Sequence, residues 1–269
     1  MSLVLSETID LGRKGGPTAL KITLNDPDNL NAMGEEMAAE FSALVKAISA
    51  SSKLPCCIIL TGAGRAFSAG GNLKMLEAKS NITPEKNRLL MLDFYNSFLS
   101  ILALNVPLVA AINGHAVGAG LCLASACDLR VCSSGAKLGF TFGKLGLHPG
   151  MGATFFLPRI VGPALAAELL ISGRMIDAAQ AHEIGLVSQV VSQDALIECA
   201  LEVAREIAHC GPESVRMLVE SLRKGAPTLD SALEREAQCQ AISYASTEFL
   251  EGVRATMEKR APAWSIKKS

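Results

Sequence analysis

The sequence predicts an α/β core followed by a helical C-terminal region, and three observations carry that prediction. Over the first half of the chain, short apolar runs bounded by glycine alternate with apolar residues at helical spacing. After Gly150 the balance tips to helix. From Asp194 onward almost everything is helical, with breaks at Gly211-Pro212 and Gly225-Ala226-Pro227.

Residues 3 to 9 and 18 to 24 are apolar runs divided by Gly12, Gly15, Gly16 and Pro17, the pattern of two strands joined by a turn. From Gly34 to Ala50 the residues Met37, Phe41, Leu44, Val45 and Ile48 recur at helical spacing, and Cys56 to Thr61 reads as a buried strand. A second unit follows: a helix over residues 85 to 104, a strand at Leu108 to Ile112, a small-residue helix from Gly118, and a strand at Leu129 to Cys132. Beyond Gly150 come a helix over 151 to 172 interrupted at Gly162-Pro163, a helix over 177 to 184, and a strand at Leu186 to Val191. The remaining three or four amphipathic helices need a surface to pack on. The expected division is a core over residues 1–200 and a helical region over 201–269.

With 269 residues and 49% apolar content the chain can bury a large core. Its 25 basic and 26 acidic residues nearly cancel, which argues against nucleic acid or membrane as main partner and leaves room for a small anionic ligand. Eight cysteines without a CxxC pair, mostly inside apolar stretches, predict reduced, packed thiols in an intracellular compartment. Met1 to Gly16 shows no signal pattern, and no apolar run reaches membrane-spanning length. Lys267-Lys268-Ser269 is not the peroxisomal tripeptide. The cytoplasm is the expected location, with mitochondrion and peroxisome left open. The histidines and carboxylates show no metal-ligand spacing, and no metal or redox cofactor is expected.

Two strand-exit loops stand out: Thr61 to Lys74, which contains Gly62, Gly64, Gly70 and Gly71, and Val109 to Gly120, which contains Gly114, Gly118 and Gly120. Small residues let a ligand approach the main chain, and free N–H groups at a loop or helix N-terminus are donors to negative charge. Gly114, Gly118 and Gly120 reverse the dinucleotide G-x-G-x-x-G spacing and lack an acidic partner about 20 residues on. Neither loop has the G-K-[ST] of a phosphate loop, and Ser68 lacks the first glycine of a nucleophile elbow.

The stretch from Val109 to Leu129 runs as apolar strand, Asn113-Gly114, Gly118-Ala119-Gly120, then Ser125-Ala126-Cys127-Asp128-Leu129. With Ala66-Phe67-Ser68-Ala69-Gly70-Gly71-Asn72-Leu73 before it, and Pro149-Gly150-Met151-Gly152 and Pro158-Arg159-Ile160-Val161-Gly162 after it, it resembles the crotonase superfamily, the enoyl-CoA hydratase/isomerase group, over nearly the whole chain. The resemblance implies a ClpP/crotonase-like spiral of ββα units, a helical C-terminal region that forms homotrimers, often stacked as hexamers, and a place in fatty acid metabolism. It implies an acyl-CoA thioester as substrate, with no separate cofactor. It puts the oxyanion-hole N–H groups at Gly71 and Ala119, and the coenzyme A contacts at Leu30, Ala69, Lys74 and Lys259. Two such amides stabilise an enolate oxygen more than a neutral carbonyl.

Hydration in this family uses two glutamates, and here Cys122 and Phe142 stand at their positions. Asn72, beside one oxyanion donor, and His148, before Pro149, are the candidate polar groups of the reaction, although a loop histidine bonded to backbone is the commoner arrangement. Cys122 reads as a packed thiol, His115 as a structural hydrogen-bond partner, Asp128 as a cap or ion-pair partner, and Lys144 as solvated or paired. Phe142 reads as acyl-pocket wall, and Phe140, Phe142, Phe155 and Phe156 together read as ordinary core. Two functions are expected to compete: a lyase or isomerase acting through an enolate, and a non-catalytic acyl-CoA-binding protein.

Overall fold

Strand β1 (Val4–Asp10) pairs antiparallel with β2 (Thr18–Leu24) from Val4↔Leu24 to Asp10↔Thr18, as the opening apolar runs predict. A computed structural model describes residues 2–12 and 16–265; Gly15 of the expected turn and Lys267, Lys268 and Ser269 lie outside the described residues. Helix α1 (Glu35–Ser49) buries Met37, Phe41, Val45 and Ile48, and β3 (Cys57–Gly62) is buried throughout. Next come β4 (Ala66–Ser68), α2 (Leu73–Ala78) and α3 (Pro84–Leu99), which tightens into a 3-10 turn at Ser100–Leu104. The middle of the chain gives β5 (Leu108–Ile112), β6 (His115–Val117), α4 (Ala119–Ala126), β7 (Leu129–Ser133) and β8 (Lys137–Gly139). It continues with α5 (Ala153–Val161), α6 (Pro163–Ser172), β9 (Ile176–Asp177), α7 (Ala178–Glu183) and β10 (Gln189–Val191). The last elements are α8 (Leu196–Ala208), α9 (Pro212–Lys224), α10 (Leu229–Tyr244) and α11 (Thr247–Met257).

The strands form two sheets, ordered β1-β2-β3-β5-β7-β10 and β4-β6-β8-β9. Each of β3, β5 and β7 leaves the large sheet and runs directly into a short strand of the small one, β4, β6 or β8, before a helix returns the chain. That repetition is a spiral of ββα turns, and it stacks the strand-exit loops at one edge.

Side chains alternate across the pleat. Ile58, Leu60, Leu108, Ala110 and Ile112 face the larger core with Phe41 and Phe98, whereas Cys57, Ile59, Val109, Ala111 and Val131 face Leu196, Ala200 and Ala204 of α8. Sheets covered on both faces need near-continuous apolar strands, which is why these were legible. Helix α9 is tied on by Arg223, which donates to Asp128 at 2.6 and 3.0 Å and to the carbonyls of Leu102 and Val106 at 2.8 Å each. Asp128 also accepts from Leu108 N–H at 2.8 Å, the pairing role expected of it. Helix α10 buries none of its residues, and Leu229, Leu233, Ile242 and Tyr244 on it are exposed.

The strand expected at Leu186 to Val191 is shorter: only Gln189–Val191 pairs, with β7. The N–H of Leu186 instead closes onto the Ala181 carbonyl at the end of α7 at 2.8 Å, so its burial reflects a helix cap rather than a ladder. The expected core group Phe140, Phe142, Phe155 and Phe156 also divides: Phe140 is buried, whereas Phe155 is 45% exposed under the Arg159 guanidinium, 3.5 Å from its ring centre.

Candidate active site

Two buried amide side chains hold the strand-exit loops together. Asn113, at the end of β5, accepts from Gly62 N–H at 3.0 Å and donates to the carbonyls of Gly64 at 2.9 Å and Ala66 at 3.2 Å. Asn31, in the left-handed region at φ 55, donates to Ala63 and Ala66 carbonyls at 2.9 and 2.8 Å and accepts from Asp26 N–H at 2.8 Å. Ser68 donates to the Asn31 carbonyl at 2.7 Å and accepts from Gly70 N–H at 3.1 Å. Its hydroxyl is fully buried and committed, in keeping with the missing nucleophile elbow.

This scaffold fixes two peptide planes. The Gly70 carbonyl accepts from Met33 N–H at 2.7 Å, and Asn72 N–H donates to the Met33 carbonyl at 3.0 Å. In a trans peptide the N–H points opposite to the C=O, so the Gly71 N–H is aimed away from Met33. The Gly118 carbonyl accepts from Cys122 N–H at 3.0 Å inside α4, so the Ala119 N–H points out of the helix N-terminus, where no intrahelical acceptor exists. The two planes are neighbours: a Cβ on Gly70 would stand 3.4 Å from Ala119 N and 2.7 Å from the Val117 carbonyl oxygen. Gly70 and Gly118, at φ +92 and +53, adopt conformations that L side chains rarely reach. Gly120 lets α4 close on β4, since a Cβ there would lie 2.6 Å from that of Ser68.

The family model described as enoyl-CoA hydratase/isomerase matches residues 16–267. The chain belongs to the enoyl-CoA hydratase/isomerase family. It is 34% identical over 250 residues to 1,2-epoxyphenylacetyl-CoA isomerase of Escherichia coli, covering 92% of this chain and 95% of that protein. It is 37% identical over 244 residues to mitochondrial methylglutaconyl-CoA hydratase of Rattus norvegicus, covering 87% of this chain and 75% of the relative. The crystal structure of enoyl-CoA hydratase from Bacillus anthracis superimposes with a TM-score of 0.86 at 34% identity, over 97% of this chain and 99% of that one. The spiral is thus the crotonase fold.

Within this member of the enoyl-CoA hydratase/isomerase family, two of the four residues expected to contact coenzyme A, Leu30 and Ala69, are hydrogen-bonded neighbours. Ala69 N–H donates to the Leu30 carbonyl at 2.9 Å, and Leu30 is held left-handed at φ 54. Lys74, in the first turn of α2, is exposed. Lys259 follows α11, whose packing partner is α10 and whose Glu248 caps α9 by accepting from Glu213 and Ser214 N–H. Among the described residues no hydrogen bond or ion pair joins Lys259 to Leu30, Ala69 or Lys74.

The polar candidates separate. Asn72 caps α2, its Oδ1 accepting from Met75 N–H at 3.1 Å, and it borders a cleft of about 630 Å³ with Gly34, Lys79 and Lys86. His148 is exposed and its Nδ1 donates to the Pro149 carbonyl at 2.7 Å, the backbone-bonded arrangement weighed for it. His115 accepts from Lys137 N–H at 3.1 Å, a structural role. Lys144 is exposed, with no ion pair among the described residues. Cys122 is fully buried, and burial pushes its thiol far above the ordinary range. Phe142 is half-buried, its ring tip 3.9 Å from a Cβ on Gly118.

Sequence reasoning assigned no role to Tyr95 or Asn31. Tyr95, on α3, places its hydroxyl against Gly150, and burial raises its titration. No local pattern marks it, because it sits at a helical core position like its neighbours.

Proposed function

We propose that the N–H groups of Gly71 and Ala119 bind the carbonyl oxygen of an acyl- or enoyl-CoA thioester and stabilise its enolate, so that the protein is a lyase or isomerase of coenzyme A esters. The observation that carries the reading is the pair of neighbouring peptide planes whose carbonyls are already bonded elsewhere, which leaves both N–H groups free at one edge of the spiral. Each such donor contributes roughly 3 kcal/mol to a developing oxyanion, and the N-terminus of α4 adds positive potential. Leu30 and Ala69 then contact the adenine and pantetheine, Lys74 a phosphate, and Lys259 an auxiliary site; Asn72 orients the thioester and His148 stands by for proton transfer. No separate cofactor enters this chemistry.

Residues 1–200 serve as the acyl-CoA-binding core and 201–269 as the region that assembles a homotrimer or homohexamer, a role supported by the exposed Leu218, Leu222, Leu229 and Leu233. Among the described residues no helix is long and apolar enough to cross a membrane, and the place assigned to the protein is the cytoplasm.

One observation favours a second reading. Cys122 is buried as a neutral thiol and Phe142 has no acidic proton, so neither can replace a glutamate, as in a non-catalytic acyl-CoA-binding protein. The test is incubation of the purified protein with crotonyl-CoA and trans-3-hexenoyl-CoA in deuterated water, with products and Cα deuterium followed by mass spectrometry. Hydration, double-bond migration or exchange supports the enzyme; binding of both thioesters without change or exchange supports the binding protein.

A further inference from the structure

Helix α9 carries two arginines on its inner face, Arg216 and Arg223, two turns apart with the buried Val219 between them. Arg223 is saturated by Asp128 and by the Leu102 and Val106 carbonyls. Arg216 is half-buried, yet its guanidinium makes no hydrogen bond or ion pair among the described residues. A charge withdrawn from water without a partner is costly, and an anion from outside the chain removes that cost. Arg216 lines a cavity of about 340 Å³ at the edge of the large sheet where the strands begin: Thr18 opens β2, Cys56 precedes β3 and Pro107 precedes β5, and all three border it. At about 3.3 Å per residue along β3, the glycine loops stand roughly 20 Å away at the other ends of these parallel strands. The cavity walls include Leu54, Pro55, Pro107, Ile207, Val215 and Trp264. Trp264 is fixed there, its Nε1 donating to the His209 carbonyl at 3.3 Å. Lys53, whose Nζ donates to the Gly16 carbonyl at 3.3 Å, is the second cation, and among the described residues no aspartate or glutamate lines the cavity.

We propose that this cavity is a second ligand site, separate from the thioester site, and that it takes a small carboxylic acid with a compact apolar body. The carboxylate pairs with Arg216, whose planar fork matches two carboxylate oxygens, and Lys53 adds positive potential. The hydrocarbon lies against Trp264, Val215 and the prolines. Two cations without an acid select an anion. Apolar walls select a carboxylate with a hydrocarbon body over a sulfate or phosphate, whose every oxygen would shed water against hydrocarbon. The volume is at the lower end for small-molecule pockets, which limits the body to about one ring or a chain of about six to eight carbons. The site is independent of the oxyanion reading, since none of its residues belongs to either glycine loop.

Trp264 is the single tryptophan of the chain, so its fluorescence reads the cavity directly. The experiment titrates the intact chain with sodium hexanoate, 1-hexanol and sodium sulfate at constant ionic strength and follows Trp264 emission. The hexanoate titration is repeated on Arg216→Lys, on Arg216→Gln and with butyryl-CoA present, and melting midpoints are measured alongside. Hexanoate is expected to give a saturable change with half-saturation on the order of 1 mM. Arg216→Gln, at an unchanged melting midpoint, raises that concentration roughly 10-fold or more, and Arg216→Lys, which keeps the charge and loses the fork, falls between. Hexanol and sulfate bind more weakly than hexanoate, and butyryl-CoA leaves the titration unchanged. No saturation at roughly twenty times the expected concentration, equal binding of hexanol or sulfate, or wild-type affinity in Arg216→Gln overturns the proposal. Loss of the response in the presence of butyryl-CoA also overturns it, because hexanoate would then occupy the thioester site.

Discussion

Gly70 and Val117 touch backbone to backbone: a methyl on Gly70 would sit 2.7 Å from the Val117 carbonyl oxygen, on a residue already at φ +92. This contact brings the loop after β4 against the start of α4. Gly70→Ala combines a clash with a backbone that L residues avoid, and the expected loss is about 1–3 kcal/mol of stability with weakened thioester binding. Gly135→Ala is the control, since nothing lies within 4 Å of its Cβ position. Urea denaturation and butyryl-CoA binding of both variants check this; equal behaviour would show that the loops do not need their close approach.

Ser68 is a scaffold residue, and its loss is a structural one. Ser68→Ala deprives Gly70 N–H of its acceptor and the Asn31 carbonyl of its donor in a fully buried place, for about 1–3 kcal/mol. Intact-mass spectrometry of wild type mixed with thioester is expected to show no acyl-enzyme. An acylated Ser68 would contradict the assignment.

The Arg223–Asp128 pair joins α9 to the rest of the fold and has three further hydrogen-bonding partners, the Leu102 and Val106 carbonyls and the Leu108 N–H, with side chains only 14% and 23% exposed. Removing one partner leaves the other charge and the Leu108 N–H poorly compensated. Asp128→Ala is expected to lower stability by about 3 kcal/mol in chemical denaturation. A loss within experimental error would place α9's anchorage elsewhere.

Alkaline pH is expected to destabilise the fold. Burial pushes the Cys127 and Cys132 thiols up to about 12 from 9.0, and Cys57 and Cys122 move the same way. Their contribution is complete below the unfolded value of 9.0 and falls as pH rises toward about 12, because the unfolded chain releases protons that the folded chain retains. The loss is about 1.4 kcal/mol per thiol per pH unit in that window. The urea midpoint is expected to be lower at about pH 10 than at about pH 8. An unchanged midpoint would show that the thiols titrate alike in both states.

The long elements were legible because each obeys one period. β3 and β5 are continuous apolar runs, and α1 repeats its apolar face in helical steps. The small sheet was not legible: β4, β6 and β8 are three residues each and lie inside or just beyond glycine loops, where no period can develop. The assignment of Gly71 and Ala119 as donors rests on the resemblance of motifs, because an N–H has no side chain to advertise it. Asn31 and Tyr95 act across sequence separations that local pattern does not encode: Asn31 bonds to Ala66, and Tyr95 meets Gly150.

Proline at position 119 removes one of the two proposed donors and nothing else at the helix start. Ala119 is the first residue of α4, a position where proline fits helix geometry, so Ala119→Pro deletes the N–H while preserving the helix start. The measurement is α-deuterium incorporation into butyryl-CoA by wild type and Ala119→Pro at matched melting midpoints. The wild type is expected to exchange, and the variant to lose roughly 100- to 1,000-fold of that rate. Equal exchange by the two proteins would contradict an oxyanion hole built on the Ala119 N–H.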